Sequence, residues 1–118
     1  MERITYVGLD VHKSLVVATA MDSMGNWIDQ RKFGPTDREL IEYLTGLPGE
    51  KHVALEATTV WEHFYEAALK AGALPVLSNP LKTRLIAETS LKNDRVDSEA
   101  LATLLRLNAL PQACPVPL

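Results

Sequence analysis

Ile4-Thr5-Tyr6-Val7-Gly8-Leu9-Asp10 is a run of β-branched and apolar residues that stops on an acid. It reads as a buried strand. Ser14 to Met21, with Val16, Val17 and Thr19, is a second run of the same kind, and Val11-His12-Lys13 between them is short enough for a hairpin turn. Met24-Gly25-Asn26 signals another turn, and Trp27 to Phe33 is a third strand. Three strands joined by two short turns make an antiparallel meander.

Beyond Phe33 the pattern changes. Gly34-Pro35 breaks it, Thr36 is a candidate N-cap, and Glu39 three residues later completes a capping box. Leu40, Ile41 and Leu44 then carry a helix up to Gly46, and Leu47-Pro48-Gly49 is a loop. His52-Val53-Ala54-Leu55-Glu56 is a short strand that again ends on an acid. Thr58 or Thr59 can cap a helix whose Val60, Phe64, Ala67, Ala68 and Ala71 share a face, with Gly72 as its stop. Leu74 to Leu77 is a fifth strand ended by Ser78-Asn79-Pro80, and Pro80 suits the first turn of a helix reaching Glu88. After the polar connector Thr89 to Asn93, Asp94 to Leu107 reads as a last helix with Val96, Ala100, Leu101, Leu104 and Leu105 on a wide apolar face. The order βββ-α-β-α-β-α-α predicts an α/β fold. Its five-stranded mixed sheet has three antiparallel strands followed by two parallel ones, joined by right-handed crossovers, with helices on the faces. One domain is expected over residues 1–109, with the proline-rich stretch 110–118 as an unpacked tail or linker.

Composition agrees with one ordinary domain. The 118 residues are 47% hydrophobic and 23% charged, which excludes disorder, collagen and coiled coil. No stretch is long and apolar enough to span a bilayer, and residues 1–9 carry no secretory signal, so a cytoplasmic location is expected. A lone cysteine, Cys114, excludes an internal disulfide and a Cys-based zinc site. No glycine-rich phosphate loop is present, and Ser14 and Ser98 lack a His–Asp partner set. Lys and Arg total 12 against 15 Asp and Glu, a net charge of −3, which argues against nucleic-acid binding by charge alone.

The acids carry the chemistry. Asp10 and Glu56 both terminate apolar strands, and a sheet of this order makes those strands neighbours. Two adjacent carboxylates repel, and they require either a raised pKa or a cation. Asp94 and Asp97, three apart at the start of the last helix, share a face that can turn toward the same rim. Four carboxylates from separate elements, Asp10, Glu56, Asp94 and Asp97, are the set that holds magnesium, a hard ion that prefers oxygen ligands. A plainer reading stays open: Asp10 as a turn former, Glu56 as a solvated edge residue, and Asp94 and Asp97 as helix-capping acids.

Several segments, in order, resemble a known family: Tyr6-Val7-Gly8-Leu9-Asp10-Val11-His12-Lys13, Leu55-Glu56-Ala57-Thr58, Ser78-Asn79-Pro80, and Lys92-Asn93-Asp94-Arg95-Val96-Asp97-Ser98-Glu99-Ala100-Leu101-Ala102. The chain is similar over residues 4–110 to the N-terminal DEDD domain of the IS110/IS116/IS902 transposases. The resemblance implies an RNase H-like (RuvC-like) fold and an insertion-sequence transposase. It further implies that Asp10, Glu56, Asp94 and Asp97 bind Mg2+, with Mn2+ as substitute, and support DNA strand cleavage and exchange. DNA is the implied partner, with a guide RNA in characterised branches and homo-oligomers as the working state. Two departures stand out. Thr59 occupies a position where many relatives have glycine. Family members also carry a C-terminal domain with a serine implicated as nucleophile, so this chain is expected to be a catalytic half and residues 110–118 the start of a linker.

Lys82, Arg84, Lys92 and Arg95 cluster near the third and fourth acids, and Lys13 follows the first. They read either as phosphate contacts or as a solvated face. His12 reads as a surface turn histidine, His52 and His63 as structural, and Trp27 and Trp61 as core or interface residues. Two other readings compete. One is a binding or assembly module of the same transposase without activity of its own. The other is an actin-like or sugar-kinase half-domain, which also opens on Gly-x-Asp but has a glycine turn where His12-Lys13 stand here. Setting four of the 15 acids aside for a metal leaves 11 against 12 basic residues, so the acidity does not exclude DNA.

Overall fold

The three leading runs fold as β1 (Ile4–Val11), β2 (Val16–Met21) and β3 (Trp27–Phe33) in the computed structural model, which describes residues 3–56, 61–90 and 97–113. They are followed by α1 (Asp37–Thr45), β4 (Glu50–Glu56), α2 (Trp61–Lys70), β5 (Leu74–Ser78), α3 (Pro80–Ser90) and α4 (Ser98–Arg106). The strands form one sheet in the order β3-β2-β1-β4-β5. β1 and β2 pair antiparallel, as do β2 and β3, while β4 runs parallel to β1 and β5 parallel to β4. This is the mixed α/β sheet expected from the element order, and it is consistent with the RNase H-like fold that the resemblance implies.

Side chains alternate across a strand, so the sheet separates two cores. Val7 and Leu9 of β1, Val16, Ala18 and Ala20 of β2, and Val53 and Leu55 of β4 face Leu40, Tyr43 and Leu44 of α1 and Phe64, Ala67 and Ala68 of α2. Each fully buried Leu or Phe in this layer contributes about 1.5–3 kcal/mol. On the opposite face Ala54 packs with Leu101 and Leu104 of α4 and with Leu110, flanked by Val76 of β5 and Ile86 of α3. This second core is smaller, and the candidate site lies at its rim.

Local chemistry sets the helix ends. Thr36 Oγ1 accepts the Glu39 N–H at 3.2 Å. In return the Glu39 carboxylate accepts the Thr36 hydroxyl at 2.9 Å and the Gly34 N–H at 3.1 Å. The capping box is therefore reciprocal, but its acid ties down Gly34, because the Thr36 N–H already donates to the Gly34 carbonyl. Gly72 stops α2 as its position implied: it sits at φ +81°, and the Ala73 N–H reaches back to the Ala68 carbonyl at 2.9 Å.

Three expectations change. The last helix begins at Ser98, not at Asp94. Asp97 is extended, at φ −118° and ψ −174°, and caps the helix by accepting the Ala100 N–H at 3.0 Å. Asp is among the strongest N-caps, so the chain turns into the helix there. The same-face argument for Asp94 and Asp97 therefore falls, and Asp94 itself lies outside the described residues. Second, residues 110–113 are packed beyond the expected boundary at 109. The Asn79 N–H donates to the Pro111 carbonyl at 2.7 Å, and the Ala113 N–H donates to the Leu77 carbonyl at 2.9 Å. Gln112 bridges Ser78, and Leu110 is buried. Proline lacks a donor but keeps its carbonyl, so a proline-rich segment without periodicity still pairs with the C-terminal end of β5. Cys114 and the rest of the stretch lie outside the described residues. Third, of the two readings of Trp27, core or interface, its 50% exposure removes the first. The side chain of Trp61, and Thr58 and Thr59, lie outside the described residues. Among the described residues no helix is long and apolar enough to cross a membrane.

Candidate functional site

β1 and β4 run parallel, so their C-terminal ends meet at one edge of the sheet. Their register pairs Gly8 with Ala54 and Leu9 with Leu55, which brings Asp10 alongside Glu56. Adjacent strands lie about 4.8 Å apart, so the two acids are neighbours on one rim. On β5, Ser78 pairs with Glu56 and extends the row to Asp10, Glu56 and Ser78. Period-2 alternation puts all three on the face that carries α3 and α4, since Leu9, Leu55 and Leu77 point into the other core.

The two carboxylates feel each other. Glu56 is half-buried, and burial pushes its carboxyl above the usual range. The negative charge of Asp10 pushes it further in the same direction, and the Arg84 guanidinium pulls it partly back. The Asp10 side chain is 16% exposed, and its Oδ2 meets Nε2 of the exposed His12 at 3.0 Å. His12 is thus a surface turn residue, as its position implied, and also a partner of the first acid.

Helix α4 reaches this rim because Gly8 lets it. A Cβ on Gly8 would stand 2.0 Å from the Ser98 carbonyl oxygen and 2.6 Å from the Ala102 nitrogen, so only glycine allows the helix backbone to lie on the strand. One turn of the same contact is polar: Ser98 Oγ and Thr19 Oγ1 share a buried 2.7 Å hydrogen bond, and Gln30 Nε2 donates to Thr19 Oγ1 at 2.9 Å. The N-terminus of α4 therefore sits over the Gly8–Thr19 pair, two residues before Asp10 on the same face. Asp97, the cap residue beside Ser98, comes to the Asp10 side of the sheet.

The sequence-derived set is thus brought together in part. Asp10 and Glu56 are adjacent, and Asp97 lies at the helix start on their face. Among the described residues no three His, Cys, Asp or Glu side chains gather closely enough to share an ion. Asp94, Lys92 and Arg95 lie outside the described residues. Lys82 and Arg84 are exposed on α3, and Lys13 is exposed in the β1–β2 turn. Asn79 caps α3, accepting the Lys82 N–H at 3.0 Å. His52 pairs with Glu50 and His63 with Asp37, away from the acids, in the structural role expected.

Sequence reasoning missed three features. One is the reason for Gly8, although a glycine inside an apolar strand signals close backbone approach. Another is the Thr19–Ser98–Gln30 network, which has no local signal because its members are far apart in sequence. The third is the Ser78 hydroxyl, in the row with Glu56, and the Thr83 hydroxyl on α3: both residues are 0% exposed, and among the described residues neither Ser78 Oγ nor Thr83 Oγ1 has a hydrogen-bond partner. Crowded carboxylate oxygens, one of them hard to ionise without a counter-charge, together with an unpartnered hydroxyl in the same row, suit a hard divalent cation.

Comparison with known proteins agrees in family. The transposase family model for the DEDD domain of IS110-type elements matches residues 7–116. Among solved structures, the ethanolamine utilization protein EutJ from Carboxydothermus hydrogenoformans is similar at 15% identity and a TM-score of 0.49, over 72% of this chain and 40% of that one. A search of curated proteins gives no match.

Proposed function

Because the chain belongs to the IS110-type DEDD transposase family, we propose that it is the N-terminal catalytic domain of a DNA transposase that cuts and exchanges strands with a divalent metal. The observation that carries this reading is the Asp10–Glu56 pair on adjacent parallel strands, with Glu56 resisting ionisation beside Asp10. Asp10 and Glu56 would hold Mg2+, or Mn2+ in its place, from the sheet, and Asp94 and Asp97 from the segment leading into α4. When bound, a divalent ion at such a site activates a nucleophilic oxygen and stabilises the leaving one.

The chain's own residues have separable tasks. His12 holds one oxygen of Asp10 and so restrains that carboxylate at the rim. Gly8 and the Thr19–Ser98 bond fix the height of α4 over the sheet and so the position of Asp97. Lys13, Lys82, Arg84, Lys92 and Arg95 would contact phosphates and position DNA, or a guide RNA, without reading bases. The near balance of charge once the acids are neutralised is compatible with that partner. A homo-oligomer supplies the second copy that strand exchange requires.

Mn2+ binding to the chain, followed by electron paramagnetic resonance with Asp10→Asn and Glu56→Gln beside wild type, tests the site. Each variant is expected to bind at least about tenfold more weakly, the loss of one charged ligand being about 1.4 kcal/mol or more. Cleavage of branched DNA should be lost in Asp10→Asn. Undiminished Mn2+ affinity and undiminished cutting in both variants would sink the proposal and leave a binding or assembly role.

A further inference from the structure

Ser78 is the last residue of β5, the outer strand on its side of the sheet, yet it is 0% exposed. The segment 110–113 lies against it. Gln112 bridges Ser78, the Ala113 N–H donates to the Leu77 carbonyl at 2.9 Å, and the Asn79 N–H donates to the Pro111 carbonyl at 2.7 Å. On its other side Ser78 pairs with Glu56 of β4. Ser78 is therefore held between two neighbouring stretches of chain, as a residue of a central strand is.

Its side chain does not suit that place. Among the described residues Ser78 Oγ has no hydrogen-bond partner. A hydroxyl buried in this way costs stability, and alanine would fill nearly the same volume without that cost. An unsatisfied polar group so deeply buried points to a partner gained in another state of the protein.

Three polar side chains come from the elements around it. Gln112 is exposed. Thr83 on α3 is buried and unpartnered as well, so the two hydroxyls do not satisfy each other. Glu56 is the residue directly paired with Ser78, on the same face of a strand about 4.8 Å away. It offers a carboxylate, and a hydroxyl bond to a carboxylate is about twice as strong as one to a neutral acceptor.

We propose that Ser78 is a positioning residue for Glu56: its hydroxyl donates to the Glu56 carboxylate and fixes the orientation in which Glu56 serves as a ligand to a divalent cation. This rests on the metal-binding reading of the acid pair. The bond belongs to the metal-loaded protein, where Glu56 is held in place. In the metal-free protein the hydroxyl is unpartnered. The segment 110–113 gains a task from this, since it pins the backbone from which the hydroxyl reaches.

Mn2+ titration followed by electron paramagnetic resonance, with urea unfolding in chelator, tests it on Ser78→Ala, Glu56→Gln and the double variant. In chelator Ser78→Ala should unfold at a urea midpoint equal to or above that of wild type, because it removes an unsatisfied hydroxyl and breaks no bond. Its Mn2+ affinity should nevertheless fall by about tenfold, the scale on which a metal site loses affinity when a ligand loses its orienting partner. In the Glu56→Gln background the same change should alter Mn2+ affinity by less than about twofold, because the hydroxyl acts through the Glu56 carboxylate. A Ser78→Ala midpoint below wild type in chelator would show that the hydroxyl is already bonded without metal and serves the fold alone. Wild-type Mn2+ affinity in Ser78→Ala, or a loss that persists undiminished in the Glu56→Gln background, would equally overturn the assignment. Failure of the metal-binding reading looks different, since Asp10→Asn and Glu56→Gln would then themselves keep wild-type affinity.

Discussion

Replacing Gly8 by alanine adds one methyl group at the tightest approach made by any glycine of the chain. The new Cβ would lie 2.0 Å from the Ser98 oxygen, 2.6 Å from the Ala102 nitrogen and 3.0 Å from the Leu101 Cβ. Two of these are backbone atoms, so no rotamer change relieves the clash, and α4 must lift from β1 by about 1 Å to restore ordinary van der Waals separation. Overpacking of this kind costs about 1–3 kcal/mol by itself. Lifting the helix also stretches the 2.7 Å bond between the buried Thr19 and Ser98 hydroxyls. Loss of that bond adds about 1–3 kcal/mol for polar groups left unsatisfied. A total of about 3–5 kcal/mol is a large fraction of the 5–15 kcal/mol that stabilises a typical domain. In urea, with a slope of about 1–3 kcal/mol/M, the unfolding midpoint should fall by about 2 M. Asp97 moves with the helix, so Mn2+ affinity should fall as well, although no carboxylate has been altered. A Gly8→Ala variant within about 0.5 kcal/mol of wild type, the range of an inconsequential surface change, would refute the argument.

Glu56→Gln should act on the pH dependence of the metal-free protein. Because the folded pKa of Glu56 is raised above its ordinary 4.5, its contribution to stability is greatest below that pH and is lost as pH rises through the folded value. Urea midpoints in chelator should therefore fall less from acid to neutral pH in the glutamine variant than in wild type, and parallel curves would contradict the origin assigned to the shift. Asp97→Ala should cost about 1 kcal/mol through the lost cap, while Asp97→Asn keeps the cap and loses only the charge. The two variants should differ in thermal stability yet both bind Mn2+ more weakly, and equal melting temperatures would remove the capping role. Thr36→Ala should lower stability by about 1 kcal/mol, or about 4–8 °C in Tm for a small domain, with no change in metal affinity.

The acids show how far local reasoning reaches. Asp10 and Glu56 were legible because each ends an apolar strand, and the element order alone made those strands neighbours. For Asp97 the sequence predicts a place inside the last helix, and the structure puts it at the cap instead. A helix start at Asp94 satisfied the same pattern, and only the observed cap at Asp97 distinguishes the two. The segment at residues 110–113 was opaque for a related reason. It carries neither period 2 nor period 3.6, and its role depends on carbonyls that any residue possesses, set against an edge supplied by β5.

The sequence by itself determined the order of strands and helices, the turn and cap residues, and the two acids that close β1 and β4. All of these are encoded by neighbours a few residues apart, through periodicity, proline and glycine placement, and capping side chains. Tertiary structure decided which faces of those elements meet. It set α4 on Gly8 and joined Thr19 to Ser98 across 79 positions of sequence. It also left Ser78 buried in the row with Glu56 and Thr83 buried on α3, and among the described residues it left β3 at the outer edge of the sheet. The physical reason is that contact distance and desolvation depend on chains brought together from afar, and no local pattern records how closely two backbones approach.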